Sequence, residues 1–185
     1  MIDEVLEDLE ESLGKALAAL RRELSKVRTG RAHPSILDRI RVDYYGVATP
    51  LAQMSTITVP DPRLLVVKAW ERGQVKAIDK AIRESELGLN PQVDGDLIRI
   101  PIPPLTEERR KEMVKLTKRA GEDGKVAVRK HRRDAMSMLS DLQKEGEVSE
   151  DAADRARKKV EDIVGDKVKE VDQAVADREK DIMAV

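Results

Sequence analysis

Thr106-Glu107-Glu108-Arg109-Arg110-Lys111-Glu112-Met113-Val114-Lys115-Leu116-Thr117-Lys118-Arg119-Ala120 opens a segment that runs to Glu145 without a proline, and its reading decides the fold. Thr106 stands where a side-chain oxygen caps a helix, and Glu107 and Glu108 fill the first turn, where the helix dipole favours acids. A helix of about 40 residues rises about 60 Å. Gly146 supplies its stop. Ser149, with Glu150 and Asp151 behind it, caps a further helix whose inward positions are Ala153, Ala156, Val160, Ile163, Val164, Val168, Val171, Val175 and Ile182. A third stripe lies at the other end of the chain, where Ile2, Val5, Leu6, Leu9, Leu13, Leu17, Leu20, Leu24 and Val27 share one helical face. Thr29-Gly30 is expected to end it in a left-handed turn. Helices this long cannot each hide an apolar stripe alone. The economical solution is an antiparallel three-helix bundle made from both chain ends.

Between about 31 and 104 the texture changes. All eight prolines and all three aromatics (Tyr44, Tyr45 and Trp70) fall in this stretch. Residues 41–45 lead to a turn at Gly46, and residues 55–59, 64–70 and 96–102 read as further strands. Residues 74–85 read as a short helix with Val75, Ile78, Ala81 and Ile82 apolar, and Trp70, at the end of an apolar strand, is expected in the core. The fold class is therefore α+β: a bundle from 1–29 and 106–185, with an inserted domain over 30–105 joined by two adjacent connectors, near Thr29-Gly30-Arg31 and Pro103-Pro104-Leu105. Paired connectors are the mark of a hinge.

The 185 residues include no cysteine, which excludes disulfide scaffolds, thiolate metal sites and cysteine nucleophiles. No apolar run approaches the roughly 18 residues of a membrane span, and the acidic start has the wrong sign for a targeting peptide. These features point to a soluble, cytoplasmic protein.

A net charge of −1 hides strong segregation: residues 106–133 sum to +6 and residues 134–185 to −6. Projected at about 100° per residue, Lys111, Lys115, Lys118, Lys125, Arg129, Arg132 and Arg133 share an arc of about 100° along a rise of about 33 Å. Only Glu122 interrupts it. Met113, Leu116, Ala120, Ala127, Val128, Met138 and Leu142 fall largely opposite and are expected to face the bundle. One reading is a stripe that tracks nucleic-acid phosphates, most simply those of folded RNA, since no aromatics interleave it for base stacking. The other is a solvated face whose charges pair with acids on the last helix. From charge alone the two stand level.

Other constellations fail. Gly121-Glu122-Asp123-Gly124-Lys125 has the wrong spacing for a phosphate loop and sets two acids where phosphate would sit, so its glycines read as interior helix positions, flexible or closely packed. His33 and His131 lie in different domains without partners for metal or triad chemistry, and His131 projects to the apolar side. No nucleophile–base pair is visible, and no cofactor, metal or catalytic residue is expected.

Several strings in order carry a resemblance over the whole chain: Arg28-Thr29-Gly30-Arg31-Ala32, Tyr44-Tyr45-Gly46 before Thr49-Pro50-Leu51, Leu87-Gly88-Leu89-Asn90-Pro91, Pro103 through Lys111, and Val126-Ala127-Val128-Arg129 leading to Arg132-Arg133-Asp134-Ala135. The sequence resembles the ribosome recycling factors. That resemblance implies an L-shaped, tRNA-like molecule, a three-helix bundle with a β/α/β sandwich hinged on it. It implies a non-enzymatic, cytoplasmic, monomeric factor that binds the 23S-type rRNA of the large ribosomal subunit after termination. With elongation factor G and GTP, such a factor promotes disassembly into subunits. Carried to matching positions, the RNA contacts would be Arg129 and Arg132 with Arg133 beside them, Arg28 and Arg31 at the hinge end being further candidates. Lys125 and Lys118 join them from the stripe, and Gly30, Arg31, Leu105 and Thr106 would form the hinge. The chain departs from the family pattern at Lys130-His131 and at Gly121 and Gly124, where helix formers are more common. The alternatives of other classes are a helical adaptor for a protein partner, with no RNA, and a hydrolase in the insert.

Overall fold

The computed structural model describes residues 1–184 and divides into two compact units, Met1–Thr29 with the chain from Glu107 onward, and Gly30–Thr106.

The first unit holds three long helices, α1 (Ile2–Lys26), α3 (Glu107–Lys144) and α4 (Glu150–Met183). Val5, Leu9, Leu13, Leu17, Leu20 and Leu24 of α1 bury one stripe against Val128, Ala135 and Leu139 of α3 and Ala156, Val160, Val164 and Val171 of α4. Each fully buried leucine contributes about 1.5–3 kcal/mol of transfer free energy. The turn between α3 and α4 is a Schellman motif: Gly146, at φ +75°, donates its N–H to the Gln143 carbonyl at 3.1 Å, and Glu147 donates to Leu142 at 3.0 Å. Ser149 Oγ then accepts the Ala152 N–H at 3.3 Å and caps α4. Replacing Ser149 with Ala is expected to cost about 0.5–2 kcal/mol, read as a lower midpoint in urea at unchanged slope.

Two expectations for this unit are corrected. The first helix ends at Lys26, with Val27 already extended (φ −74°, ψ 123°), so Gly30 is not its left-handed stop. Arg178 of α4 does that work: its Nη2 donates to the Val27 carbonyl at 2.5 Å and the Ser25 carbonyl at 3.3 Å, so the free carbonyls at the end of α1 need no glycine. The inward face of α3 is also rotated from the expected one. Leu116 and Met138 are each 49% exposed, while Thr117 and Gly121 are buried. Thr117 tolerates this because its hydroxyl donates back to the Met113 carbonyl at 2.9 Å.

Gly121 and Gly124 are close-packing positions. A Cβ on Gly121 would lie 2.6 Å from Val175 Cγ2 of α4, and one on Gly124 would lie 3.3 Å from Leu20 Cδ2 of α1. Their lost helix propensity, about 1 kcal/mol each, is the cost of bringing α3 close to both neighbours.

The second unit holds a hairpin of β1 (Arg41–Tyr44) and β2 (Val47–Pro50), a helix α2 (Val75–Glu84), and a four-stranded antiparallel sheet of β3 (Ser55–Asp61), β4 (Leu64–Ala69), β5 (Gln92–Asp94) and β6 (Leu97–Pro101) in the order β3-β4-β6-β5. Hairpin, helix and sheet share one core that includes Val42, Leu65, Val67, Ile78, Ile82, Ile98 and Ile100. The hairpin turn places Tyr45 (φ 49°) and Gly46 (φ 84°) in the left-handed region that a type I′ turn requires. β2 and β5 go beyond the strands read from the sequence. Trp70 is a further correction. Leu65, Val67 and Ala69 take the inward positions of β4, so period two sends Trp70 outward, where it is 63% exposed and its indole N–H donates to Thr56 Oγ1 at 2.9 Å.

Candidate nucleic-acid interface

The basic residues are presented by α3, with α4 alongside. The helices run antiparallel, as the facing pairs Gly121–Val175, Lys125–Asp172 and Arg132–Glu161 show. Because the buried line of α3 runs through Thr117, Gly121, Val128, Ala135 and Leu139, the basic arc begins at the edge of the bundle seam. Lys125 and Arg132 are the edge residues, and both reach across to α4.

Arg132 meets Glu161 with two donors, Nε donating to both carboxylate oxygens at 3.1 Å and Nη2 donating to Oε1. Hydrogen bonding to Arg132 holds the Glu161 carboxyl below the usual carboxylate range, and the same contact raises the guanidinium pKa. Lys125 Nζ lies 2.7 Å from Asp172 Oδ1 and 3.9 Å from Glu122 Oε1, and its pKa is raised chiefly by the hydrogen bond to Asp172. Lys111 pairs with Glu107 on its own helix at 3.1 Å. Lys118, Arg129 and Arg133 are exposed and, among the described residues, have no ion pair. They span about 22 Å of helix. The face thus divides: its seam edge is tied to α4 acids, and its outer part is open cation.

Arg28 is exposed just beyond α1, and Arg31 is exposed in the second unit. Gly30 has φ +73°, and a Cβ there would lie 3.3 Å from Leu105 Cγ and 3.5 Å from Leu105 N, so the two connectors run side by side at this point. Thr106 directly precedes α3. His33 caps a 3₁₀ turn over Pro34–Leu37, its Nδ1 accepting the Ser35 N–H at 3.1 Å, and His131 is half-buried. Among the described residues no cluster of three or more His, Asp or Glu is arranged to hold a metal ion, and no helix is long and apolar enough to cross a membrane.

Sequence reasoning missed Arg178 and Glu161. Burial lowers the Arg178 pKa, and its Nε is buried with no hydrogen-bond partner among the described residues, so this arginine gives up hydration to hold the end of α1. The missing signal was the absence of a glycine at the real end of α1. Glu161 could have been found by laying the acidic last helix against the basic arc in antiparallel register.

The family described as ribosome recycling factor matches residues 20–183. Over all 185 residues, and all of the relative, the chain is 65% identical to a ribosome-recycling factor of Sorangium cellulosum. It is 50% identical over 183 residues, 99% of this chain and 97% of the relative, to that of Anaeromyxobacter dehalogenans strain 2CP-1. Among solved structures it is similar to a solution structure of the ribosome recycling factor, at a TM-score of 0.73 and 37% identity, covering 100% of this chain and 98% of the other. It is also similar, at a TM-score of 0.65 and 42% identity with both chains fully covered, to a chain from models for the T. thermophilus ribosome recycling factor and the E. coli elongation factor G bound to the E. coli post-termination complex.

Proposed function

Since this chain belongs to the ribosome recycling factor family, we propose that it binds the large subunit of the post-termination ribosome through the basic face of α3 and, with elongation factor G and GTP, promotes separation of the subunits. The observation that carries this reading is the open row of Lys118, Arg129 and Arg133 beside the forked Arg132, a backbone-reading surface with no aromatics for stacking bases. The factor acts in the cytoplasm as a monomer. It contributes binding and leverage rather than a catalytic group, and the work comes from the GTPase.

The two connectors are the hinge in this reading, with Gly30 and Arg31 on one and Leu105 and Thr106 on the other. Proline fixes φ near −65°, far from the +73° of Gly30, so Gly30→Pro forces the first connector out of its present path. The expected outcome is subunit binding within about twofold of wild type, because the bundle is untouched, with splitting slowed at least about tenfold, because domain motions of this kind can set the rate of turnover. Unimpaired splitting by this variant would rule out the moving insert.

The RNA face is tested by the salt dependence of subunit binding. Three or four neutralised phosphates give a slope of log K against log salt of about −3. A slope near zero would favour the helical-adaptor reading instead.

A further inference from the structure

Arg132 does not face solvent as an isolated cation. A guanidinium has five N–H donors, and the pair with Glu161 engages the Nε–Nη2 edge. Nη1 and the outer hydrogen of Nη2 remain for another acceptor, and the arginine side chain is still 43% exposed. Two effects follow, with opposite consequences for different RNAs. At a distance, Glu161 cancels the charge of Arg132, so a polyanion held only by charge and counterion release gains little from that site. At contact, a long flexible side chain is already ordered, so a phosphate that fits the open edge meets a fixed fork and does not have to immobilise it.

The geometry points to Glu161 as a positioning residue that sets the RNA specificity of this face, penalising binding by charge alone while presenting Arg132 to a phosphate of matching geometry. Asp172 repeats the contact on Lys125 at 2.7 Å, but an ammonium is a point charge without a fork, so the discrimination resides in Glu161. The inference rests on the reading of the α3 face as the RNA-binding surface.

The test compares affinities of the full chain for purified large ribosomal subunits and for a single-stranded oligouridylate across a salt series. The proteins are wild type, Glu161→Gln, Asp162→Asn and Arg132→Ala. Asp162 is the control: its loss changes net charge equally, yet it is exposed and, among the described residues, has no ion pair. Glu161→Gln is expected to tighten oligouridylate binding at least about threefold and to steepen its salt slope by about 0.7, one further phosphate on a single strand. Its affinity for subunits stays level or falls, so the selectivity ratio drops. Asp162→Asn should leave that ratio unchanged. An unchanged ratio in Glu161→Gln, or an equal drop in Asp162→Asn, overturns the role of Glu161. If Arg132→Ala weakens subunit binding while Glu161→Gln leaves the ratio intact, this inference alone falls. If Arg132→Ala leaves subunit binding unchanged, Arg132 lies outside the interface and this inference falls; a salt slope near zero for wild-type subunit binding is the separate result that removes the RNA-face reading.

Discussion

Replacing Arg132 with Ala is expected to weaken binding to the large ribosomal subunit by about 1–3 kcal/mol, roughly 5- to 150-fold, the range for hydrogen bonds to charged groups. The loss has two parts. The guanidinium fork disappears, and Glu161, which it had neutralised, is left as a bare carboxylate facing the RNA. The double variant Arg132→Ala/Glu161→Gln should therefore bind more tightly than Arg132→Ala alone, and the difference between them reports the exposed carboxylate. Fold stability should hardly respond, because an ion pair with 43% and 50% of its side chains exposed contributes no more than about 1 kcal/mol. Affinity measured by sedimentation with purified subunits, beside a thermal melt, separates the two effects. A variant that bound normally would remove Arg132 from the interface.

The second large effect concerns the bundle itself. Alanine at Gly121 would put a Cβ 2.6 Å from Val175 Cγ2, inside any real contact distance, while alanine at Gly124 would meet Leu20 Cδ2 at 3.3 Å. A valine on a helix is stiff about χ1 and cannot swing aside. The terminal methyl of a leucine can shift by a few tenths of an ångström. Gly121→Ala is therefore expected to destabilise by about 1–3 kcal/mol through overpacking, partly offset by up to about 1 kcal/mol of helix propensity. Gly124→Ala keeps the propensity gain and should be neutral or stabilising. At about 2–4 °C per kcal/mol for a chain of this size, thermal melts resolve the contrast. Adding Val175→Ala to Gly121→Ala should recover much of the loss, because it removes the clashing methyl. Equal melting shifts for the two glycine variants would contradict the packing account.

The bundle was legible because its signals are local. Ser149 and Gly146 mark their helix ends by cap chemistry, and the leucine stripe of α1 needs no knowledge of its partner. What was illegible depended on contacts distant in sequence. The end of α1 is held by Arg178, about 150 positions away, so the nearest glycine was a false stop. The inward face of α3 is chosen by closeness as much as by hydrophobicity: Thr117 and Gly121 lie inside because they are small, and Leu116 and Met138 lie outside. Trp70 was placed by the apolar run it ends, whereas the alternation of β4 governs its direction. β2 ends at Pro50 and β5 has Val93 as its one apolar residue, so neither shows the pattern of a strand. The basic arc was legible as a charge pattern on one helix face, but which of its residues are tied to acids required the antiparallel register with α4. Lys125 and Arg132 show the pairing with acids of the last helix, while Lys118, Arg129 and Arg133 have no ion pair among the described residues.

The most direct test of the central claim is stopped-flow light scattering of post-termination ribosomes mixed with this protein, elongation factor G and GTP, at a protein concentration near the wild-type Kd. Wild type is predicted to give a rapid fall in scattering as subunits part, and Arg132→Ala a fall slowed in proportion to its weaker binding. No fall with wild type on ribosomes from a bacterium carrying a closely similar factor would contradict the account.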